Sequence, residues 1–141
     1  MQKLPSRNKI LRSKIKIGIN RGPDKKCLDA LWRKVTILKA GARCEYPNCH
    51  KTDYLNVHHF FSRSRMSVRW DIDNALVLCA GHHSLGNDSA HKGPMFKDTI
   101  IAAGVRSEEW LRKLTLRANT PMKVDRKLVY IDLTHELKKY D

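Results

Sequence analysis

No apolar run in this sequence approaches the about 20 residues needed to cross a bilayer, so a membrane-embedded role is not expected. The first residues, MQKLPSRNKILRSKIKIGINRG, lack the long apolar stretch and small-residue cleavage site of a secretory signal, and a cytoplasmic protein is expected. Acidic residues are scarce: 14 Asp and Glu face 28 Lys and Arg, leaving a formal charge of +14 with no acidic segment to offset it. Such a surface suits a polyanion, and without a membrane segment nucleic acid is favoured over lipid. Repeats and low-complexity tracts are absent, and no heptad pattern or patch demands a dimer; the oligomeric state stays open.

Cysteine is also sparse. In a reducing compartment Cys27, Cys44, Cys49 and Cys79 are read as thiols or metal ligands rather than disulfides. At 141 residues the chain has enough apolar content for one modest core. Residues 1–23 are basic and read as a flexible arm, and 24–141 as one domain. A helix is expected from Asp24, a capping residue, to Gly41, with Leu28, Leu31, Trp32, Val35 and Leu38 on its apolar face. Cys27 falls near that face as a packing residue. YLNVHHFF and ALVLC read as strands separated by a polar, basic loop in which Trp70 is an anchor, and a helix is expected to begin in AGHHSLGNDSAH. Further helices are expected over MFKDTIIAA, stopped by Gly104, and after Ser107. The KLVYIDL segment could be a strand or the lead into a last helix.

The chemistry concentrates in the middle. Cys44 and Cys49, with Cys79 and His82 some thirty residues on, supply three thiolates and one imidazole, a complete donor set for structural zinc. Such a site has no open position and would act mechanically, clamping the two ends of a hairpin. Two His-His pairs remain to be explained, His58–His59 and His82–His83. On a strand, neighbouring side chains face opposite ways, and on a helix they diverge by about 100°. One member of each pair can therefore serve a different site. His58 and His83 could hold a divalent ion with open positions, leaving His59 to accept a proton from water. Asn74 closes the loop, its amide able to bond backbone across from it and hold His59.

CEYPNC, VHHF, DNALVLC and GHH, in this order and spacing, resemble the HNH endonucleases. The resemblance covers about residues 44–83. It implies an α+β fold, a small zinc-stapled ββα-metal (His-Me finger) core over 44–91, with flanking helices, the basic arm, and a helical extension over 94–141. It also implies hydrolysis of DNA phosphodiesters with 5′-phosphate and 3′-hydroxyl ends. By position, His58 and His83 become ligands of a catalytic Mg²⁺ or Mn²⁺, His59 the general base and Asn74 the loop-holding residue. His82 stands where a cysteine is commoner, which leaves open whether His82 or His83 takes the zinc; His91, a turn or two farther on, is a further candidate for the catalytic ion. FFSRSRMSVRWDIDN is similar to phage-type HNH proteins, including recombination nucleases of the NinG kind, implying the cytoplasm of an infected bacterium. Arg63, Arg65 and Arg69 in the loop, with Lys92 and the arm, are the expected phosphate contacts. A zinc-containing module that binds nucleic acid without cutting it is the alternative.

Overall fold

Asp24 opens the first helix: its carboxylate accepts from the Cys27 amide at 2.8 Å, and α1 runs over Lys25–Lys39. Gly41, at φ +73°, closes it, with the Ala42 and Gly41 amides returning to the carbonyls of Ile37 and Leu38. The computed structural model describes residues 22–141, so nearly all of the expected basic arm lies outside the described residues. Beyond α1 the order is β1 (Leu55–His59), β2 (Ala75–Cys79), α2 (Phe96–Ala102), α3 (Glu108–Asn119) and α4 (Arg126–Lys138). Short 3₁₀ turns at Met66–Val68 and Ile72–Asn74 shape the loop between the strands. This is an α+β architecture: an antiparallel hairpin with flanking helices. No helix among the described residues is long and apolar enough to cross a membrane.

The hairpin pairs His58 with Leu76, Val57 with Val77 and His59 with Ala75. Paired residues share a face, so the pleat sends His58 to the side of Leu76 and Leu78, and His59 to the side of Val57 and Ala75. Every residue of β2 is buried, because both of its faces are covered. On one side Leu76, Leu78, Cys44 and Cys79 pack with Phe96 and Ile100 of α2. On the other, Ala75 joins Leu28 and Trp32 of α1, Trp70 of the loop and Leu133 of α4. A third cluster forms where Leu114 and Ala118 of α3 hold Val68, flanked by Phe60, Phe61 and Trp110.

Two elements differ from the sequence expectation, and a third, which the sequence leaves open between strand and helix, is resolved. β1 stops at His59 because the Asn74 side chain takes both the amide and the carbonyl of Phe61, leaving that residue no backbone to offer a partner strand. KLVYIDL is helical: Asp125 caps α4 by accepting from the Lys127 and Leu128 amides, and Val129, Tyr130 and Leu133 pack toward α1. The helix expected in AGHHSLGNDSAH is a single π-helical turn, Gly81–Leu85, closed by the Gly86 amide on the Gly81 carbonyl at 2.8 Å. A side chain at Gly86 would stand 2.9 Å from that carbonyl, so glycine permits the closure.

Candidate metal centres

Cys44, Cys49, Cys79 and His82 converge with their donor atoms all within 4.8 Å of one another. His82 Nδ1 lies 3.3 Å from Cys79 Sγ and 3.6 Å from Cys44 Sγ, and Cys49 and Cys79 are 4.0 Å apart at sulfur. A tetrahedral zinc at its usual bond lengths separates sulfur from nitrogen by about 3.6 Å and sulfur from sulfur by about 3.8 Å. The donors therefore fit that ion. The four cysteines are free thiols, and the 4.0 Å spacing of Cys49 and Cys79 is far longer than a disulfide bond. Cys27 sits apart in α1, outside the cluster.

The surroundings of the knuckle act on its thiols in opposite directions. Burial pushes the Cys44 thiol up to about 12. Burial would raise Cys79 too, but the His82 and Gly81 backbone amides and the neighbouring thiols outweigh it, drawing that thiol below its usual range. The Tyr46 ring stacks on His82 at 4.0 Å, and Asp88 Oδ2 lies 3.6 Å from His82 Nε2, on the nitrogen turned away from the thiols. Of the two adjacent histidines, His82 is the one that faces the cysteines.

His83 faces elsewhere, with His58 and His91. Their ligand nitrogens also lie within 4.8 Å of one another, and the Nε2 atoms of His83 and His91 are 3.1 Å apart. That spacing suits two imidazoles bound side by side to one cation. His91 reaches the group because the chain doubles back after the π-helical turn. The amides of Ala90 and His91 bond the carbonyls of His82 and His83 at 2.8 and 3.2 Å. In a straight α-helix the eight residues from His83 to His91 would rise about 12 Å. Gly93 completes the fold-back, since a side chain there would meet the Ser89 carbonyl at 2.9 Å.

Burial, with the neighbouring His91, His83 and His59 imidazoles, pushes His58 down to about 4. Burial and His91 likewise lower His83. Both are thus neutral near pH 7, the form in which imidazole binds a metal. His58 and His83 are half-buried and His91 is exposed, so the trio opens to solvent.

His59 lies outside this trio, on the opposite face of β1. Its ring stacks on Trp32 at 4.1 Å, and its Nε2 bonds the Arg69 carbonyl at 2.9 Å. A carbonyl can only accept, so Nε2 carries the proton and Nδ1 keeps the free lone pair. Burial lowers His59, prevailing over the Arg69 carbonyl and Asp29 charge that would raise it.

Asn74 is fully buried and its amide is satisfied three ways: Oδ1 accepts from the Phe61 amide at 2.7 Å, and Nδ2 donates to the carbonyls of Phe61 and Val68 at 3.0 Å each. Asn74→Ala would leave a backbone amide and two carbonyls without partners, a loss of about 3 kcal/mol. Urea unfolding should show it; a change below about 1 kcal/mol would mean the amide does not hold the loop.

The basic residues divide. Arg63 and Lys92 are exposed, and Lys92 Nζ reaches the Leu85 carbonyl at 3.4 Å. Arg65 is exposed over the Phe61 ring and donates to Asn119 Oδ1 at 2.7 Å. Arg69 differs from the expectation of a phosphate-facing side chain. Its guanidinium is turned inward as a fork on Asp29, at 3.0 and 2.7 Å, and its side chain is only 13% exposed.

These clusters mark a metal-binding module. No family model, curated protein or solved structure matches the chain. The residues that sequence reading passed over are Asp29 and Trp32 of α1. Trp32 stood out only as apolar, and Asp29 beside the apolar stripe was the one available signal.

Proposed function

We propose that the protein is a metal-dependent endonuclease of the HNH type, acting on DNA, with residues 44–91 as a ββα-metal core in a domain over 24–141. The observation that supports it is an open trio of imidazoles, His58, His83 and His91, beside a closed Cys₃His knuckle. Four protein donors satisfy zinc completely, so the knuckle is structural, whereas three leave room for water and phosphate oxygen. A divalent ion on the trio would supply Lewis-acid stabilisation of phosphate oxygens. His59, adjacent in sequence to His58, would accept at Nδ1 a proton from a water whose oxygen bonds to phosphorus as the bond from phosphorus to the 3′ oxygen breaks, the departing 3′ oxygen taking a proton from solvent water. Arg63, Arg65 and Lys92 would hold neighbouring phosphates, and Asn74 the inter-strand loop that carries the two arginines. Arg69 is assigned to bracing that loop.

A second reading, a zinc-containing nucleic-acid-binding module without catalysis, is favoured by the knuckle itself, which with the +14 charge requires nothing of the trio. Supercoiled plasmid incubated with protein and Mg²⁺, Mn²⁺, Ni²⁺ or Zn²⁺ separates the two. The nuclease converts it to nicked or linear forms. The binding module retards it intact. In either case a protein making about six phosphate contacts loses about a thousandfold in affinity between 50 and 200 mM salt. Intact plasmid in every metal would exclude the nuclease.

A further inference from the structure

The segment Arg69–Asp71 is gripped by α1 at three successive residues. Asp29 Oδ1 accepts from Arg69 Nε at 3.0 Å and from Trp70 Nε1 at 2.8 Å, while Oδ2 accepts from Arg69 Nη2 at 2.7 Å. One turn along the same helix face, Trp32 Nε1 donates to the Asp71 carbonyl at 2.9 Å, and its ring lies against His59 at an interplanar angle of 14°. Within this clamp sits the Arg69 carbonyl, the group that bonds His59 Nε2. Helix α1 contributes no donor to either metal cluster. Its polar contacts with this segment hold the Arg69 and Trp70 side chains and the Asp71 carbonyl, the residues that carry and follow the carbonyl bonded to His59.

We propose that Asp29 is a positioning residue for His59: by locking the Arg69 backbone through the guanidinium fork and the Trp70 indole, it holds the His59 imidazole in the Nε2–H tautomer with Nδ1 free. The proposal rests on the nuclease reading for its catalytic consequence, but not for its structural one. A carbonyl misplaced by about 1 Å costs up to about a hundredfold in rate when the group it orients must meet a reacting atom. Ion pairing alone would not require this arrangement, since Arg69 could satisfy Asp29 without its own carbonyl being aimed at a histidine. The double role of residue 69, side chain on α1 and carbonyl on β1, couples the two.

The test is Asp29→Ala in the full-length, zinc-loaded chain. The kcat for plasmid cleavage should fall about tenfold to a hundredfold with KM for DNA unchanged, because Asp29 contacts no substrate. Independently of activity, ¹⁵N shifts of the His59 ring should report the Nε2–H tautomer in the parent protein and a tautomer mixture in the variant. Zinc content and the thermal transition identify any variant that has simply lost its fold, and Asp29→Asn, of similar volume, then decides in its place. Unchanged His59 ring signals and unchanged kcat in a folded variant overturn the proposal. If the parent protein cuts no DNA, the nuclease reading fails, while the ring signals still decide the role of Asp29.

Discussion

Stripping the metal from the Cys44, Cys49, Cys79 and His82 cluster is expected to unfold the protein. Structural zinc supplies an apparent binding free energy of about 10–16 kcal/mol, which equals or exceeds the about 5–15 kcal/mol net stability of a whole domain. The cluster ties the turn before β1 to the end of β2 and to the π-helical turn, and Cys44 and Cys79 are themselves buried in the apolar cluster with Leu76, Leu78 and Phe96. Without the ion, three thiols and an imidazole in van der Waals range have nothing to draw them together. Metal analysis should find one tightly held zinc per chain, and chelation should abolish the cooperative thermal transition. Cys44→Ser should do the same. Cys27→Ser, at a half-buried helix position outside the cluster, should change stability by no more than about 0.5 kcal/mol. Burial holds the Cys44 thiol up at about 12 in the folded chain, so zinc must displace its proton and apparent affinity falls as pH is lowered. A thermal transition indifferent to chelation would rule the knuckle out as a structural zinc site.

His59→Ala is expected to lower cleavage by about 10²–10⁴-fold while leaving both metal clusters intact. His59 contributes no donor to the trio, so its loss removes the proton acceptor without emptying the ion site. His83→Ala should act differently, costing the ion as well as the activity. Because the trio offers three imidazole nitrogens and no carboxylate, its ion should be a transition metal such as Mn²⁺, Co²⁺, Ni²⁺ or Zn²⁺, since Mg²⁺ prefers oxygen ligands. Cobalt titration followed by absorbance separates the cases. Two equivalents should bind the parent protein and His59→Ala, and only the thiolate-bound one His83→Ala. Full cutting by His59→Ala would remove that residue from the chemistry, whatever the trio binds.

Much of the local structure could be read from residue order. Asp24 and Gly41 bound α1 because capping and left-handed closure depend on a few adjacent residues. Ser107 starts α3 for the same reason, accepting from the Trp110 amide. The two strands of the hairpin were visible as β-branched and apolar runs, although β1 ends two residues sooner than its apolar pattern suggests. The amide that ends it belongs to Asn74, fifteen residues from His59. Four metal donors in an ordered spacing were equally legible, since three thiolates and an imidazole in a short basic chain have few other uses.

The sequence by itself therefore determined both ends of α1, the start of α3, the hairpin, the donor types of the knuckle and the strong positive charge, all features set by neighbours along the chain or by composition. Tertiary structure alone decided which histidine serves which cluster: the π-helical turn and fold-back bring His91 to His83 and turn His82 toward the thiols. It alone decided that Arg69 faces Asp29, forty residues away, and that α1 grips the backbone behind His59. These outcomes depend on where separate segments pack, and a side chain's partner across such a gap is chosen by burial and hydrogen-bond satisfaction in the folded chain, which no local spacing encodes.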